Sequence, residues 1–149
     1  MVSTAYASGF GPAKKIQTFS SLEDRERLTP SALVGMRKLA AEWGVTGEQM
    51  AALLAVSPST WDRMAAGTWT QAFNQDQMTR VSALVGIFKG LHLLFAADAE
   101  GGSMADRWPR LHNEGPLFAG KSPIEAMIEG GIPVMIEVRR YVDALRGGL

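Results

Sequence analysis

One eight-residue stretch has the spacing of a phosphate-binding loop. Residues 115–122 read GPLFAGKS and satisfy G-x-x-x-x-G-K-[ST], a pattern whose backbone amides, lysine and hydroxyl bind nucleotide phosphates. That chemistry needs a buried parallel strand before the loop and a separate acidic residue for magnesium. The preceding DRWPRLHNE is no strand pattern, and Leu117 and Phe118 would crowd the phosphates. The sequence therefore favours a turn in which one of these side chains enters a core before Ser122 caps a helix.

Few residues offer metal or nucleophile chemistry. The chain has no cysteine and two histidines, His92 and His112. His92 lies among leucines with Lys89 and Ala96 at the neighbouring ligand spacings, and His112 lies in a loop, so we predict no metal site. No acid, base and nucleophile come together in the pattern, so we expect neither a cofactor nor an enzyme.

The cellular context is also constrained. The absence of cysteine is typical of a reducing compartment. No stretch reaches the roughly 18 uninterrupted apolar residues of a membrane span, and the N-terminal residues lack the apolar centre of a secretion signal. We therefore expect a cytoplasmic protein without a membrane partner.

The charges balance, with 15 basic and 15 acidic residues. Residues 98–149 hold six basic and eight acidic side chains, whereas residues 31–97 hold five and four. Nonspecific DNA affinity scales with the number of phosphates neutralised, so it is expected to be weak. If the chain binds DNA, the balance favours a dimer that reads a defined site.

Residues 45–69, VTGEQMAALLAVSPSTWDRMAAGTW, predict two short helices joined by a tight turn. Thr46 starts the first with capping-box spacing, and Ser57 starts the second, which ends at Gly67. This is the spacing of a helix-turn-helix, whose second helix enters the major groove of DNA. The candidate DNA-binding residues are Thr46, Ser57, Ser59, Thr60 and Arg63. An ordinary helical hairpin with a solvated polar face remains the alternative.

The remaining elements are also predicted to be helices, which makes the chain all-α. The helix before the helix-turn-helix is expected to begin near Leu28. The longest helix starts at Asn74, and its apolar residues cover more than one stripe. Such a helix is buried on two sides, by the helix-turn-helix and by either the C-terminal module or a second subunit. A glycine-rich break follows, then a helix from Ser122 to the glycines at 130–131 and a last helix beyond.

The C-terminal residues resemble the toxin-binding domain of the Xre/MbcA/ParS antitoxins. Residues 113–131, NEGPLFAGKSPIEAMIEGG, have that family's asparagine, hydrophobic plug, glycine and Ser-Pro-hydrophobic-Glu, and VRRYVDALRGG at 138–148 is similar to its last helix. The matching positions are Trp108, Asn113, Leu117, Phe118, Gly120, Ser122, Pro123, Glu125, Met127, Gly130, Val138, Tyr141, Leu145 and Gly147. The long helix and the helix-turn-helix fall in the family's order, so the resemblance spans Leu28 to the C-terminus.

The resemblance implies an antitoxin of a type II RES-Xre toxin–antitoxin system. Its partner is a RES-type toxin from the same operon, which consumes NAD or transfers its ADP-ribose. The implied domains are a flexible arm (1–27), a helix-turn-helix DNA-binding and dimerisation domain (28–97) and a toxin-binding domain (98–149) that occludes the toxin's active site. The candidate toxin-binding residues are Trp108, Asn113, Phe118, Lys121, Arg139, Arg140, Arg146 and Gly147.

The sequence leaves some alternatives open. The three arginines of the last helix either pair with acidic groups of the toxin or are simply solvated. The second helix of the helix-turn-helix has one arginine and no lysine, so Lys14 and Lys15 of the arm are candidates for phosphate contacts. A homodimer on a palindromic operator is expected. The alternative function is a stand-alone transcriptional regulator whose C-terminal domain dimerises or senses a ligand.

Overall fold

The computed structural model describes residues 16–96 and 103–147. Within these ranges the chain is helical and forms no β-strand, which confirms the all-α prediction. The helices are α1 (Leu22–Trp43), α2 (Gly47–Leu54), α3 (Pro58–Ala66), α4 (Gln75–Leu94), α5 (Met104–Arg107) and α6 (Pro123–Gly147), with a 3₁₀ turn at Trp108–Arg110. Most of the predicted arm, including Lys14 and Lys15, and residues 98–102 of the predicted break at 98–108 lie outside the described residues, and α5 forms within the rest of that break. In the described ranges, no helix is both long and apolar enough to cross a membrane.

Local capping chemistry sets the helix starts where the sequence predicts them. The Thr46 hydroxyl accepts from the backbone N–H of Gln49 at 3.1 Å, and the Gln49 side chain accepts from the N–H of Thr46 at 2.9 Å. The Ser57 hydroxyl accepts from the N–H of Thr60 at 3.1 Å. Asn74 starts α4 with a second capping box. These contacts satisfy amides that the first helical turn leaves unpaired.

The start of α1 differs from the prediction. The helix begins at Leu22 rather than near Leu28, with Ser21 as its N-cap, and it continues through Pro30. Contacts distant in sequence hold this extra length. Arg25 Nε donates to the Phe73 carbonyl at 3.1 Å, and the buried Thr29 hydroxyl accepts from the Phe73 N–H at 2.9 Å. Pro30 leaves one helical hydrogen bond unmade, and these tertiary contacts offset that loss.

Helix α4 lies at the centre of the fold and is buried on two sides, as its apolar pattern predicts. It packs against α1 and α2 on one side and against α6 on the other. Two glycines allow α6 to approach closely. A Cβ added at Gly86 would lie 2.4 Å from Arg139 Nε, and one added at Gly90 would lie 2.8 Å from Val142 Cγ1. Of the two expected covers for the second side, the C-terminal module is therefore the one that the fold uses.

Helix α6 contains the break that the glycine pair predicts. Gly131 has φ 68° and ψ −152°, a conformation outside the helical region that glycine adopts readily. The helix resumes through Pro133, and its buried residues Met135, Val138 and Val142 join the core formed with α4. The chain thus interrupts α6 at a defined point, and the second half lies along α4.

Candidate nucleic-acid interface and C-terminal module

The second helix of the helix-turn-helix, α3, is anchored by two large side chains. Trp61 is 6% exposed and Met64 is fully buried, while Ser57, Ser59 and Arg63 are exposed. Helix α3 therefore has a buried inner face and an exposed polar outer face. The outer face includes the N-terminus of α3, where the helix dipole favours a phosphate.

Four of the candidate DNA-binding residues form one connected polar row. The Ser57 hydroxyl lies 3.2 Å from that of Ser59 and donates to the Thr60 hydroxyl at 2.9 Å. Arg63 Nη2 donates to the same Thr60 oxygen at 3.2 Å. The fifth candidate, Thr46, lies apart from this row as the exposed N-cap of α2. The row offers hydroxyls and a guanidinium, which are groups that contact base edges and phosphates.

Trp69 orients Arg63 and was not among the candidates. The Arg63 guanidinium lies over the Trp69 ring, 5.5 Å from its centroid. Stacking on an aromatic face fixes the direction of the guanidinium, so less side-chain entropy is lost when it meets a ligand. In the sequence, the signal for this contact is an aromatic residue two positions after Gly67, the C-cap of α3.

Other arginines near this surface stabilise the fold by donating to backbone carbonyls. Arg37 Nη1 donates to the Met64 carbonyl at 3.0 Å, and Arg80 Nη1 donates to the Leu53 carbonyl at 3.1 Å. These bonds satisfy carbonyls at the C-terminal ends of α3 and α2 and place positive charge where the helix dipoles favour it. Arg63 therefore stands alone on α3 as a cation directed outward.

The GPLFAGKS stretch is a closed turn. Gly120 N–H donates to the Asn113 carbonyl at 2.8 Å, and Asn113 N–H donates to the Lys121 carbonyl at 3.1 Å. Gly115 N–H donates to the Asn113 side-chain oxygen at 2.8 Å, and Phe118 N–H donates to the Gly115 carbonyl at 3.0 Å. Amides that would bind a phosphate are thus used within the turn. The predicted turn is confirmed, and Asn113 is the residue that closes it.

An aromatic cluster, Trp108, Phe118 and Tyr141, holds the C-terminal module together. Phe118 is 1% exposed and makes edge contacts with Trp108 (5.8 Å between centroids) and Tyr141 (5.3 Å). Trp108 stacks on Tyr141 at 6.1 Å. Ser122 then caps α6 by accepting from the Glu125 N–H at 3.1 Å. Phe118 is the side chain that enters the core, so of the candidate toxin-binding residues it acts through packing.

The remaining candidates of the C-terminal module divide between two faces. Arg139 lies against α4, where its Nη1 donates to the Ser82 carbonyl at 3.2 Å. Arg140 and Arg146 point outward, each paired with an acidic residue one turn earlier on α6, at 2.9 and 3.4 Å. Gly147 is exposed near them at the end of the helix. Lys121 lies elsewhere and pairs with Glu129. Arg140, Arg146 and Gly147 are therefore all exposed on the second half of α6, whereas Lys121 precedes that helix and pairs with its first half.

The two histidines have different surroundings. His112 Nε2 lies 3.6 Å from Glu125 Oε1 and is largely exposed. His92 Nε2 lies 3.2 Å from Asp106 Oδ1 and 3.8 Å from Glu42 Oε2. The local sequence around His92 offers it no partner; the two carboxylates come from α1 and α5, which only the tertiary fold brings to it.

Comparison with known proteins identifies the family of this chain. Residues 24–86, from α1 into α4, match the family model of the antitoxin Xre-like helix-turn-helix domain. The uncharacterized protein y4oB of Sinorhizobium fredii (strain NBRC 101917 / NGR234) is 30% identical over 122 residues, which cover 80% of this chain and 87% of y4oB. No solved structure matches the chain significantly. The chain therefore belongs to the same family as y4oB and carries a DNA-binding helix-turn-helix domain of the Xre-like antitoxin type.

Proposed function

We propose that this protein is the antitoxin of a type II toxin–antitoxin system. Its C-terminal module, described over residues 103–147, covers the active site of a RES-type toxin that consumes NAD or transfers its ADP-ribose. Its α3 helix represses the operon that encodes both proteins. The observation that carries the proposal is the match of residues 24–86 to an antitoxin-type DNA-binding domain, joined to a separate helical module outside that match.

We propose that residues 28–97 bind DNA and that residues 98–149 bind the toxin. The residues that resemble the toxin-binding family include those that build the module: Asn113 closes the turn and Phe118 fills the core. The module then presents to a partner the outer face of α6, by which we mean the exposed part of its second half with Arg140, Arg146 and Gly147. A mixed-charge face on an acidic module orients an encounter with a basic nucleotide-binding cleft.

Charge reversal on this outer face tests the toxin contact. Arg140→Glu combined with Arg146→Glu is expected to weaken the toxin complex by about 2 kcal/mol or more, a factor of about 30, because the two arginines are proposed to pair with acidic groups beside the toxin's basic cleft, and those groups would repel glutamates. Folding should change little, since exposed ion pairs contribute about 0–1 kcal/mol each. Affinity for the purified toxin is the measurement, with growth protection in cells that express the toxin as a second readout.

The matched control is Arg27→Glu combined with Arg63→Glu, which reverses two exposed charges on α1 and α3. It is expected to leave toxin affinity closer to that of the wild type. Equal affinity of the α6 double variant and the wild type would remove the outer face of α6 from the proposed contact.

The DNA-binding half has its own prediction. Arg63→Ala is expected to weaken binding to the region upstream of the protein's own gene by about 1–3 kcal/mol, since it removes the one outward cation of α3. Arg107→Ala, which removes the same charge from α5, is the control and should bind normally. Gel-shift titration at fixed salt measures both variants. Protection against the toxin should survive Arg63→Ala, because α3 is proposed to take no part in that contact.

We also propose that the operator is bound by a homodimer. Helix α4 leaves a shallow groove against α1, lined by Lys38, Leu39, Val85 and Phe88, and Leu93 nearby is 62% exposed. A two-fold pair of helix-turn-helix domains matches a palindromic site. The mass of the complex in the same titrations should correspond to two chains per operator, and one chain per site would exclude the dimer.

Co-expression with the neighbouring toxin gene separates this proposal from its alternative. An antitoxin is expected to restore growth and to co-purify with the toxin. A stand-alone regulator whose C-terminal module dimerises or senses a ligand would do neither, although it would still bind its operator.

A further inference from the structure

Three side chains that the proposed function does not use converge between α1, α4 and α5. Their ligand atoms, one each from Glu42, His92 and Asp106, all lie within 4.8 Å of one another. Donors around a tetrahedral Zn²⁺ lie about 3.3–3.5 Å apart, as follows from Zn–N and Zn–O bonds of about 2.0–2.2 Å. The distances from His92 Nε2, 3.2 Å to Asp106 and 3.8 Å to Glu42, are close to that spacing.

The orientation of His92 makes Nε2 the free ring nitrogen. Nδ1 lies 2.9 Å from the backbone carbonyl of Phe88, which accepts and cannot donate, so Nδ1 carries the proton. A carbonyl bonded to one ring nitrogen is the usual support for a histidine that binds metal through the other. In the neutral ring, the lone pair of Nε2 then faces two carboxylates. A cation between these three atoms would bind all of them.

Asp106 independently indicates a missing partner. Its Oδ1 atom is buried and accepts no hydrogen bond from any donor in the described residues. His92 Nε2 lies 3.2 Å from this oxygen, but in the tautomer described above it carries no proton to donate. A buried carboxylate oxygen without a donor costs free energy, and a metal ion at this point would satisfy it.

We propose that Glu42, His92 and Asp106 bind a divalent transition-metal ion of the Zn²⁺ class, with water at the remaining position. The side chains are 34%, 36% and 24% exposed, respectively, so one side of the site is open to solvent. Lys38 lies 4.0 Å from Glu42 Oε1, the carboxylate oxygen that does not face His92. The ion joins the first helix of the C-terminal module to α1 and α4, and it clamps the module to the DNA-binding domain.

Zinc titration of the full-length chain without a histidine tag tests this site. Calorimetry should give one Zn²⁺ per chain, and Zn²⁺ should raise the melting temperature. His92→Gln and Glu42→Gln should each weaken binding by at least about tenfold and remove that rise. His112→Gln is the matched control, because His112 is the other histidine of a chain without cysteine. It should bind Zn²⁺ within about twofold of the wild type.

Three results would overturn the proposal: no binding by the wild type, unchanged binding by folded His92→Gln or Glu42→Gln, or equal loss with His112→Gln. Circular dichroism establishes whether each variant is folded. If His92→Gln does not fold, Glu42→Gln provides the test, because the Glu42 side chain is 34% exposed and its replacement disturbs the core less.

Discussion

Replacing Gly90 with leucine is expected to destabilise the fold by about 3 kcal/mol or more and to separate α6 from α4. Even the Cβ of alanine at this position would lie 2.8 Å from Val142 Cγ1. Val142 is fully buried, and a β-branched side chain in a helix has one strongly preferred rotamer, so it cannot move aside. The added carbons must therefore push the two helices apart.

Three glycine-to-alanine changes isolate this packing effect from helix propensity. At Gly35 in α1 nothing lies within 4 Å of an added Cβ, so alanine should stabilise by about 0.5–1 kcal/mol. At Gly86 the Cβ would meet the flexible side chain of Arg139, which can shift, so little net change is expected. At Gly90 alanine should destabilise by about 1 kcal/mol, since overpacking exceeds the propensity gain.

Urea unfolding followed by circular dichroism measures this series. The expected order of stability is Gly35→Ala, wild type, Gly90→Ala and Gly90→Leu, from most to least stable. Gly90→Ala as stable as Gly35→Ala would show that α4 and α6 do not meet at this glycine.

Phe118→Ala is the second change with a large expected effect, a loss of about 3–5 kcal/mol. The ring is 1% exposed, and its truncation leaves a cavity between Trp108 and Tyr141. The edge contacts to these two rings are lost as well, at about 0.5–1.5 kcal/mol per aromatic pair. Because the closed turn depends on this plug, protection against the toxin should fall together with stability.

Two companion variants separate packing from direct contact. Leu111→Ala, at a side chain 45% exposed in the same module, should change stability by less than about 0.5 kcal/mol. Phe118→Leu keeps most of the buried volume and should recover much of both stability and protection. If Phe118→Leu were as stable as the wild type but gave no protection, Phe118 would have to contact the toxin itself.

The protein's neutrality is compatible with DNA binding because its charges have separate tasks. Arg37 and Arg80 satisfy helix carbonyls, and Arg139 lies against α4. Within the helix-turn-helix, the groups left for DNA are Arg63, a row of hydroxyls and the N-terminus of α3. Such a surface reads a site by hydrogen bonds more than by bulk charge, which suits a regulator with weak nonspecific affinity.

Sequence patterns predicted the features that local chemistry determines. The capping residues Thr46, Ser57 and Asn74 and the break at Gly131 depend on neighbours within a few residues, so their spacing is visible in the sequence. The early start of α1 was missed because Phe73, far along the chain, holds Arg25 and Thr29.

The candidate site shows the same limit. The outward hydroxyl row of α3 follows from helical periodicity. The support that Trp69 gives to Arg63, the contact of Arg139 with α4 and the convergence of Glu42 and Asp106 on His92 follow from tertiary packing, which has no local signature.

The central claim is that the C-terminal module closes the active site of a RES-type toxin. The most direct test is to purify the toxin encoded beside this gene and to follow its NAD consumption as the full-length protein is added. Complete inhibition near one antitoxin per toxin is expected, for the wild type and for Arg63→Ala alike. Undiminished NAD consumption in the presence of excess folded protein would contradict the proposed function.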